Sequence, residues 1–227
     1  MLQRFTERNM AVCLDGEIIT KREFEQEGYI PCLYPIPVYG ERLSFFIAGP
    51  PGCGKSTTAA QILSIFPEIP IYLFTDLEEE DRAFKGLKIN KMRMDADLLD
   101  ELKPSMFTQN GDCWVIFDDI DKIRDKKVST KLIGLMDNMI ANGRSHGGHH
   151  IHIIATSHAL NDYRKTKYMI ENCGYWVIFP SKTIPSQLKR LLSKLDLDKY
   201  PIRQYDRLFI HQQTPFFICS NDFIQKL

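Results

Sequence analysis

From residue 44 onward the chain alternates short, unbroken apolar runs with longer stretches whose apolar residues recur every three or four positions. An apolar run bounded by turn residues reads as a strand buried on both faces. The longer period reads as a helix with one buried side. In order, "LSFFIAG" (43–49) is a strand and 56–66 a helix that turns Ala59, Ala60, Ile62 and Leu63 inward. "IYLFT" (71–75) is a second strand, and "MDADLLDELK" (94–103) opens with helix-start residues. "CWVIFDD" (113–119) is a third strand, followed by a helix over "STKLIGLMDNMIAN" (129–142) that begins at a Ser-Thr cap. "IHIIAT" (151–156) is a fourth strand, "TKYMIENC" (166–173) a helix and "YWVIF" (175–179) a fifth strand. Buried strands separated by helices predict a mostly parallel five-stranded core sheet with helices on both faces, an α/β fold.

The flanks differ from this core. Residues 1–43 carry an alternating "EIIT" (17–20) and a proline cluster "YIPCLYPIPVYG" (29–40), which predict short edge strands and turns. After Pro180 the alternation stops. "PSQLKRLLSKL" (185–195) is a helix, and "RLFIHQQTPFFIC" (207–219) two strands about a "QQTP" turn. The expected division is 1–43 packed on the core, 44–180 the core, and 181–227 a helix-and-hairpin extension of the same domain. The acidic "DLEEED" (76–81) is expected as a solvated loop at the sheet edge.

Composition narrows the classes. Lys and Arg number 29 against 29 Asp and Glu in 227 residues, which argues against a protein that coats nucleic acid through bulk charge. A local basic strip remains in "DKIRDKKVSTK" (121–131), with Lys122, Arg124, Lys126, Lys127 and Lys131. Six cysteines without a C-x-x-C pair read as reduced thiols. No apolar run approaches membrane-spanning length, and "MLQRFTERNM" lacks a signal peptide's apolar centre. A soluble, cytoplasmic protein with no membrane contact is expected.

The chemistry concentrates at two strand ends. "GPPGCGKST" (49–57) places Gly49-x-x-x-x-Gly54-Lys55-Ser56 after a strand and before a helix, the context a phosphate-binding loop requires. Glycines let the backbone wrap so that N–H groups converge on phosphate oxygens, and the new helix aims its positive end there. Gly49, Pro50, Pro51, Gly52, Cys53, Gly54, Lys55, Ser56 and Thr57 are therefore the expected ATP-binding residues. Lys55 neutralises the β and γ phosphates, Ser56 offers its hydroxyl to Mg²⁺, and Cys53 is a small tolerated residue. In "WVIFDDID" (114–121), Asp118 fits the Walker B carboxylate that holds Mg²⁺. Asp119 can activate water with a side chain one methylene shorter than the usual Glu. Asp121 is expected to cap the following turn.

"NGRSHGGHHIHIIATSH" (142–158) and "KTKYMIENCGYWVIFPS" (165–181) resemble the core of FtsK/HerA-superfamily ATPases, above all the genome-packaging ATPases of large double-stranded DNA viruses. The resemblance implies a RecA-like P-loop fold over about residues 44–180. It implies that Arg144 and His146 match an Arg-His pair before strand four and that Thr156 and Ser157 stand at a polar sensor position. Lys167 stands where an arginine is usual. It further implies Arg144 as a residue acting on a neighbour's γ-phosphate, with Arg164 next in line, and Ser157 as a γ-phosphate sensor. The implied partners are further copies in a ring, double-stranded DNA and a capsid or portal-type docking site, with action in host cytoplasm or at a virion assembly site.

Two other classes share the phosphate loop. A nucleotide kinase needs an arginine-rich lid, for which "SHALNDYRKTKYMIEN" (157–172) is too short and too apolar. An AAA+ regulatory ATPase needs a helical lid after the sheet, and the single helix and hairpin beyond Pro180 count against one. Five of six histidines lie at 146, 149, 150, 152 and 158. Without a local cysteine or carboxylate partner they read as a loop entering strand four rather than a metal site. Trp114 and Trp176, inside strands, read as core.

Overall fold

The computed structural model describes residues 10–14, 17–20, 42–64, 66–79, 81–143, 148–160, 166–194, 203, 206–211 and 217–220. The parallel part of its sheet comprises β3 (Ser44–Ala48), β4 (Ile71–Phe74), β5 (Ile89–Met92), β6 (Cys113–Phe117), β7 (Ile151–Ser157) and β8 (Tyr175–Ile178). To these are added β1 (Met10–Leu14), β2 (Glu17–Thr20), β9 (Arg207–His211) and β10 (Phe217–Ser220). They form one ten-stranded sheet in the order β2-β1-β10-β9-β8-β3-β7-β6-β4-β5. The six strands from β8 to β5 run parallel, and the other four join antiparallel. Strand β3 lies between β7 and β8 while the chain next goes to β4, so the order reverses beside β3. A ligand cleft forms at such a switch point, and the phosphate loop follows that strand.

The parallel core thus has six strands where the apolar pattern predicts five. The additional one, β5, reads "INKM" and is half exposed because it closes the sheet edge, so it lacks the continuous apolar run of a central strand. The strands expected at "EIIT" and within 207–219 are present.

Among the described residues, six α-helices accompany the sheet: α1 (Lys55–Leu63), α2 (Ala96–Glu101), α3 (Pro104–Phe107), α4 (Lys126–Asn142), α5 (Lys167–Asn172) and α6 (Pro185–Lys194). Helix α4 corrects the expected Ser-Thr cap. It starts at Lys126, and the Asp125 side chain accepts from the N–H groups of Lys127 (2.7 Å) and Val128 (3.1 Å). A carboxylate at this position satisfies two orphan donors and complements the helix dipole. Ser129 and Thr130 fall inside the helix, the latter donating to the Lys126 carbonyl. At the other end, Arg42 donates to the carbonyls of Met139 (2.6 Å), Ile140 (2.6 Å) and Ile151 (3.0 Å). One guanidinium therefore ties the last turn of α4 to the start of β7. A side chain at Gly143 would strike the Met139 carbonyl and the Arg42 guanidinium, so only glycine fits that helix end.

Strand alternation sorts the core into two faces. Phe46, Ala48, Phe74, Val115, Phe117, Ile153, Ala155 and Ile178 face one way, onto Leu99 of α2, Phe107 of α3, Leu132, Met136 and Met139 of α4, Met169 of α5 and Leu188 of α6. Phe45, Ile47, Leu73, Trp114, Ile116, Ile154 and Val177 face the other way, onto Ala59, Ile62 and Leu63 of α1. Trp114 and Trp176 are both buried, as expected of core residues.

Candidate nucleotide site

The site lies at the C-terminal edge of the parallel strands, and strand register assembles it. Phe74 pairs with Phe117, and Phe117 with Ala155. The next residues, Thr75, Asp118 and Thr156, therefore stand side by side. All three continue their strands' alternation onto the α1 face. Asp118 Oδ1 accepts from Thr156 Oγ1 (2.8 Å) and Oδ2 from Thr75 Oγ1 (3.2 Å). Asp118 is buried, and burial, with the neighbouring Asp119 charge, raises its pKa above the usual carboxylate range. Hydroxyl donors oppose that rise but leave its charge uncompensated.

Asp119 breaks the alternation, which would turn its side chain to the opposite face. Its backbone instead turns left-handed (φ 46°), the one non-glycine to do so among the described residues. That turn brings the carboxylate back over the α1 face. Asp119 N donates to Thr156 Oγ1 (2.7 Å), Oδ1 lies 3.4 Å from Lys55 Nζ, and Oδ2 lies 3.1 Å from His158 Nε2.

The phosphate loop closes against the same edge. Gly49 N donates to Ser157 O (3.1 Å), extending the β3–β7 ladder one step beyond the strand. A Cβ at Gly49 would come within 2.7 Å of Cys53 Sγ and 2.8 Å of Phe179 Cδ2, so this glycine is required by packing. Gly52 (φ 73°) and Gly54 (φ 105°) take left-handed turns that other residues resist. Lys55 is buried, with Nζ donating to Gly49 O (3.3 Å) and close to Asp119. Cys53 is half-buried, and burial raises its thiol pKa despite the nearby Lys55 charge, so it behaves as a packing residue.

Of the two residues at the expected sensor position, Thr156 meets the acid pair. Ser157 is fully buried, and its Oγ exchanges hydrogen bonds with the backbone of Ala159. Period-two alternation separates the two: Thr156 shares the face of Ile154 and α1, and Ser157 faces away. The sequence assigns Asp121 to capping the turn that follows it. It sits within a 3₁₀ turn (Ile120–Lys122) and accepts from His158 N (3.0 Å), cross-linking the two loops. Arg144, His146 and Arg164 lie outside the described residues.

Sequence reasoning missed Thr75 and His158 as members of this site. Thr75 ends an apolar run, and only the β4–β6 register puts it beside Asp118. His158 looked like one of a histidine cluster, but the structure separates it from the others. His149, His150 and His152 gather round Asp112 at the opposite end of β6 and β7. Burial, then the Lys55 charge, lowers the His158 pKa, so at neutral pH its neutral ring meets Asp119 through Nε2–H. Ligand atoms of Asp119, Asp121 and His158 lie within 4.8 Å of one another, a grouping already accounted for by those two hydrogen bonds. In the basic strip, Lys127 pairs with Asp97 and Lys131 with Asp100, tying α4 to α2.

A glycine-rich loop between a central parallel strand and a helix, facing paired carboxylates on a neighbouring strand, defines a P-loop ATPase. More narrowly, residues 45–168, over half of the chain, match the profile of the AAA family, "ATPase family associated with various cellular activities", and the chain belongs to that family. This corrects the expectation that weighed against an AAA-type ATPase; the match ends before Pro180, so the family assignment rests on the sheet core. An uncharacterised protein of Sputnik virophage is 29% identical over 157 residues, 65% of this chain, and the chain spans 59% of that relative's length. Among solved structures, the pCW3 conjugation coupling protein TcpA, in a monomer form with ATPγS, aligns with TM-score 0.52 at 17% identity. That alignment covers 80% of this chain and 61% of TcpA. B204, the DNA-packaging ATPase of Sulfolobus Turreted Icosahedral Virus, also aligns with TM-score 0.52, at 14% identity, over 79% of this chain and 98% of B204. The resemblance to viral packaging ATPases is thus met in the fold.

Proposed function

We propose that the chain is an Mg²⁺-dependent ATPase that acts as a ring and couples ATP hydrolysis to movement of double-stranded DNA, as in viral genome packaging. The observation that carries hydrolysis is the convergence of Lys55, Asp118 and Asp119 at one strand edge, with Thr156 Oγ1 donating to the Asp118 carboxylate and accepting from Asp119 N. ATP phosphates would lie along the 49–54 loop, with Lys55 on the β and γ groups. Ser56 and Asp118 would hold the metal. Hard oxygen donors suit Mg²⁺, and a buried carboxylate partnered only by hydroxyls fits a site that a cation completes. When bound, the metal supplies positive charge to the β and γ phosphate oxygens. Asp119 takes a proton from the attacking water as the water oxygen bonds to the γ-phosphorus. The bond to the bridging oxygen breaks, and its electron pair leaves with ADP.

Two observations support the DNA reading, the 142–181 block and a fold shared with almost the whole of a DNA-packaging ATPase, and the virophage relative supports the viral setting. In the sequence Arg144 comes after Gly143, the cap of α4, and Arg42 pins the last turn of that helix. In this reading Arg144 is the residue offered to a neighbour's γ-phosphate, the ring docks on a capsid or portal, and the work is done in host cytoplasm or at the assembly site. Ser157, whose carbonyl accepts from Gly49 N, is in this reading the γ-phosphate sensor. The test is ATP turnover with and without double-stranded DNA, with Lys55→Ala as the blank. Turnover should rise on DNA addition. Phosphate transfer to a nucleoside acceptor, with no response to DNA, would sink the motor reading in favour of a kinase.

A further inference from the structure

We propose that His158 is the positioning residue for Asp119, holding its carboxylate in place while Lys55 is engaged with phosphate. The proposal rests on the reading of Asp119 as the group that orients the attacking water.

Asp119 needs holding because its backbone is strained. A left-handed residue other than glycine is strained and persists only where its surroundings over-determine it. Two kinds of contact do so. Asp119 N is fixed on Thr156 Oγ1 (2.7 Å), and the carboxylate is shared between Lys55 at Oδ1 (3.4 Å) and His158 at Oδ2 (3.1 Å). Lys55 cannot serve both partners: drawn to the β and γ phosphates, it gives up Asp119. Thr156 touches Oδ1 only weakly (3.3 Å), since its one hydrogen goes to Asp118 at 2.8 Å. His158 then remains the donor that fixes the carboxylate. An Asp reaches one methylene less far than a Glu, so a small rotation of its carboxylate costs more alignment.

His158 is itself fixed in a way that a purely structural histidine would not be. Its N–H donates to Asp121 Oδ1 (3.0 Å), which anchors the backbone, and its ring is only 18% exposed. A carboxylate oxygen only accepts, so the contact with Asp119 needs the ring hydrogen on Nε2. The other nitrogen, Nδ1, is buried with no hydrogen-bond partner. Burying an unmet polar atom costs stability, so the ring is poorly explained by packing and well explained by its contact with Asp119.

Three variants test this: His158→Ala, His158→Gln and Asp119→Asn. Phosphate release, affinity for a fluorescent ATP analogue and thermal midpoint are measured on each. His158→Ala should lower kcat by about 10- to 100-fold, part of the effect a general base supplies, with analogue affinity within about twofold. Its midpoint should not fall, since the orphaned Nδ1 goes with the ring. His158→Gln, whose amide N–H can take the Nε2 place, should recover most of the loss. In an Asp119→Asn background, His158→Ala should have no further effect. If Asp119→Asn abolishes turnover while His158→Ala keeps kcat within about twofold, the positioning role is overturned and the reading of Asp119 stands. If Asp119→Asn turns over normally, that reading falls and the positioning role with it. A Gln variant no better than Ala, or analogue affinity that drops in step with kcat, also overturns the proposal.

Discussion

Strands β6 and β7 carry an Asp-His pair at each end, and the two pairs are put to different uses. At the N-terminal edge, Asp112 lies 3.7 Å from His152 Nε2 and accepts from His150 N (2.8 Å), while His152 Nδ1 accepts from Leu43 N (3.1 Å). There the polar atoms are spent on backbone groups, and Arg42 beside them caps a helix. At the C-terminal edge, Asp119 and His158 meet each other, next to a buried lysine, an uncompensated buried carboxylate and a strained backbone. The same residue types thus knit strands together at one end and hold reactive groups in place at the other. What separates them is whether their hydrogen bonds end on main chain or on one another.

The sharpest break of this comparison is Asp118→Asn. It should lower ATP turnover by on the order of 10³-fold while leaving the thermal midpoint unchanged or higher, because a buried charge is removed. Loss of folding together with activity would erase the distinction between the two edges. At the structural edge the expectation inverts. Arg42→Ala removes three charge-assisted bonds to carbonyls and should cost about 3 to 4 kcal/mol in denaturant unfolding, with ATP affinity within about twofold.

The structural edge should also contribute to the pH dependence of stability. Burial pushes the His152 pKa down to about 4, against the pull of Asp112 and with that of His150 and Arg42. Unfolded, the ring titrates near 6.5, so between these values the unfolded chain binds the extra proton. The contribution of His152 is complete above about pH 6.5 and is lost as pH falls towards 4, a difference of about 3 kcal/mol. The difference in denaturant midpoint between the wild type and His152→Gln should grow as pH rises over this range. The smallest effect is expected on the surface. Lys127→Ala breaks an exposed pair with Asp97 and should change stability by less than about 0.5 kcal/mol. If its DNA-stimulated turnover is also unchanged, Lys127 is a solvated residue and not part of a DNA track.

Much of this was legible in the chain. Central strands bury both faces and so appear as unbroken apolar runs, which is why β3, β4, β6, β7 and β8 could be read directly. β5 could not, because an edge strand buries one side only. The phosphate loop was equally plain, since glycine at left-handed positions and a lysine at a helix start are local requirements. Asp118 and Asp119 were found because they end an apolar strand. Their environment was not, because Thr75, Thr156 and His158 reach them from other strands.

The sequence by itself determined the α/β class, the phosphate loop and the acid pair, all set by local backbone geometry and by periodicity within one segment. Only the tertiary structure decided that Thr156 rather than Ser157 meets the carboxylates, that Asp119 turns back to its site, and that His158 joins it while His152 does not. Those outcomes depend on register between strands far apart in the chain, and a shift of one residue would send each side chain to the opposite face.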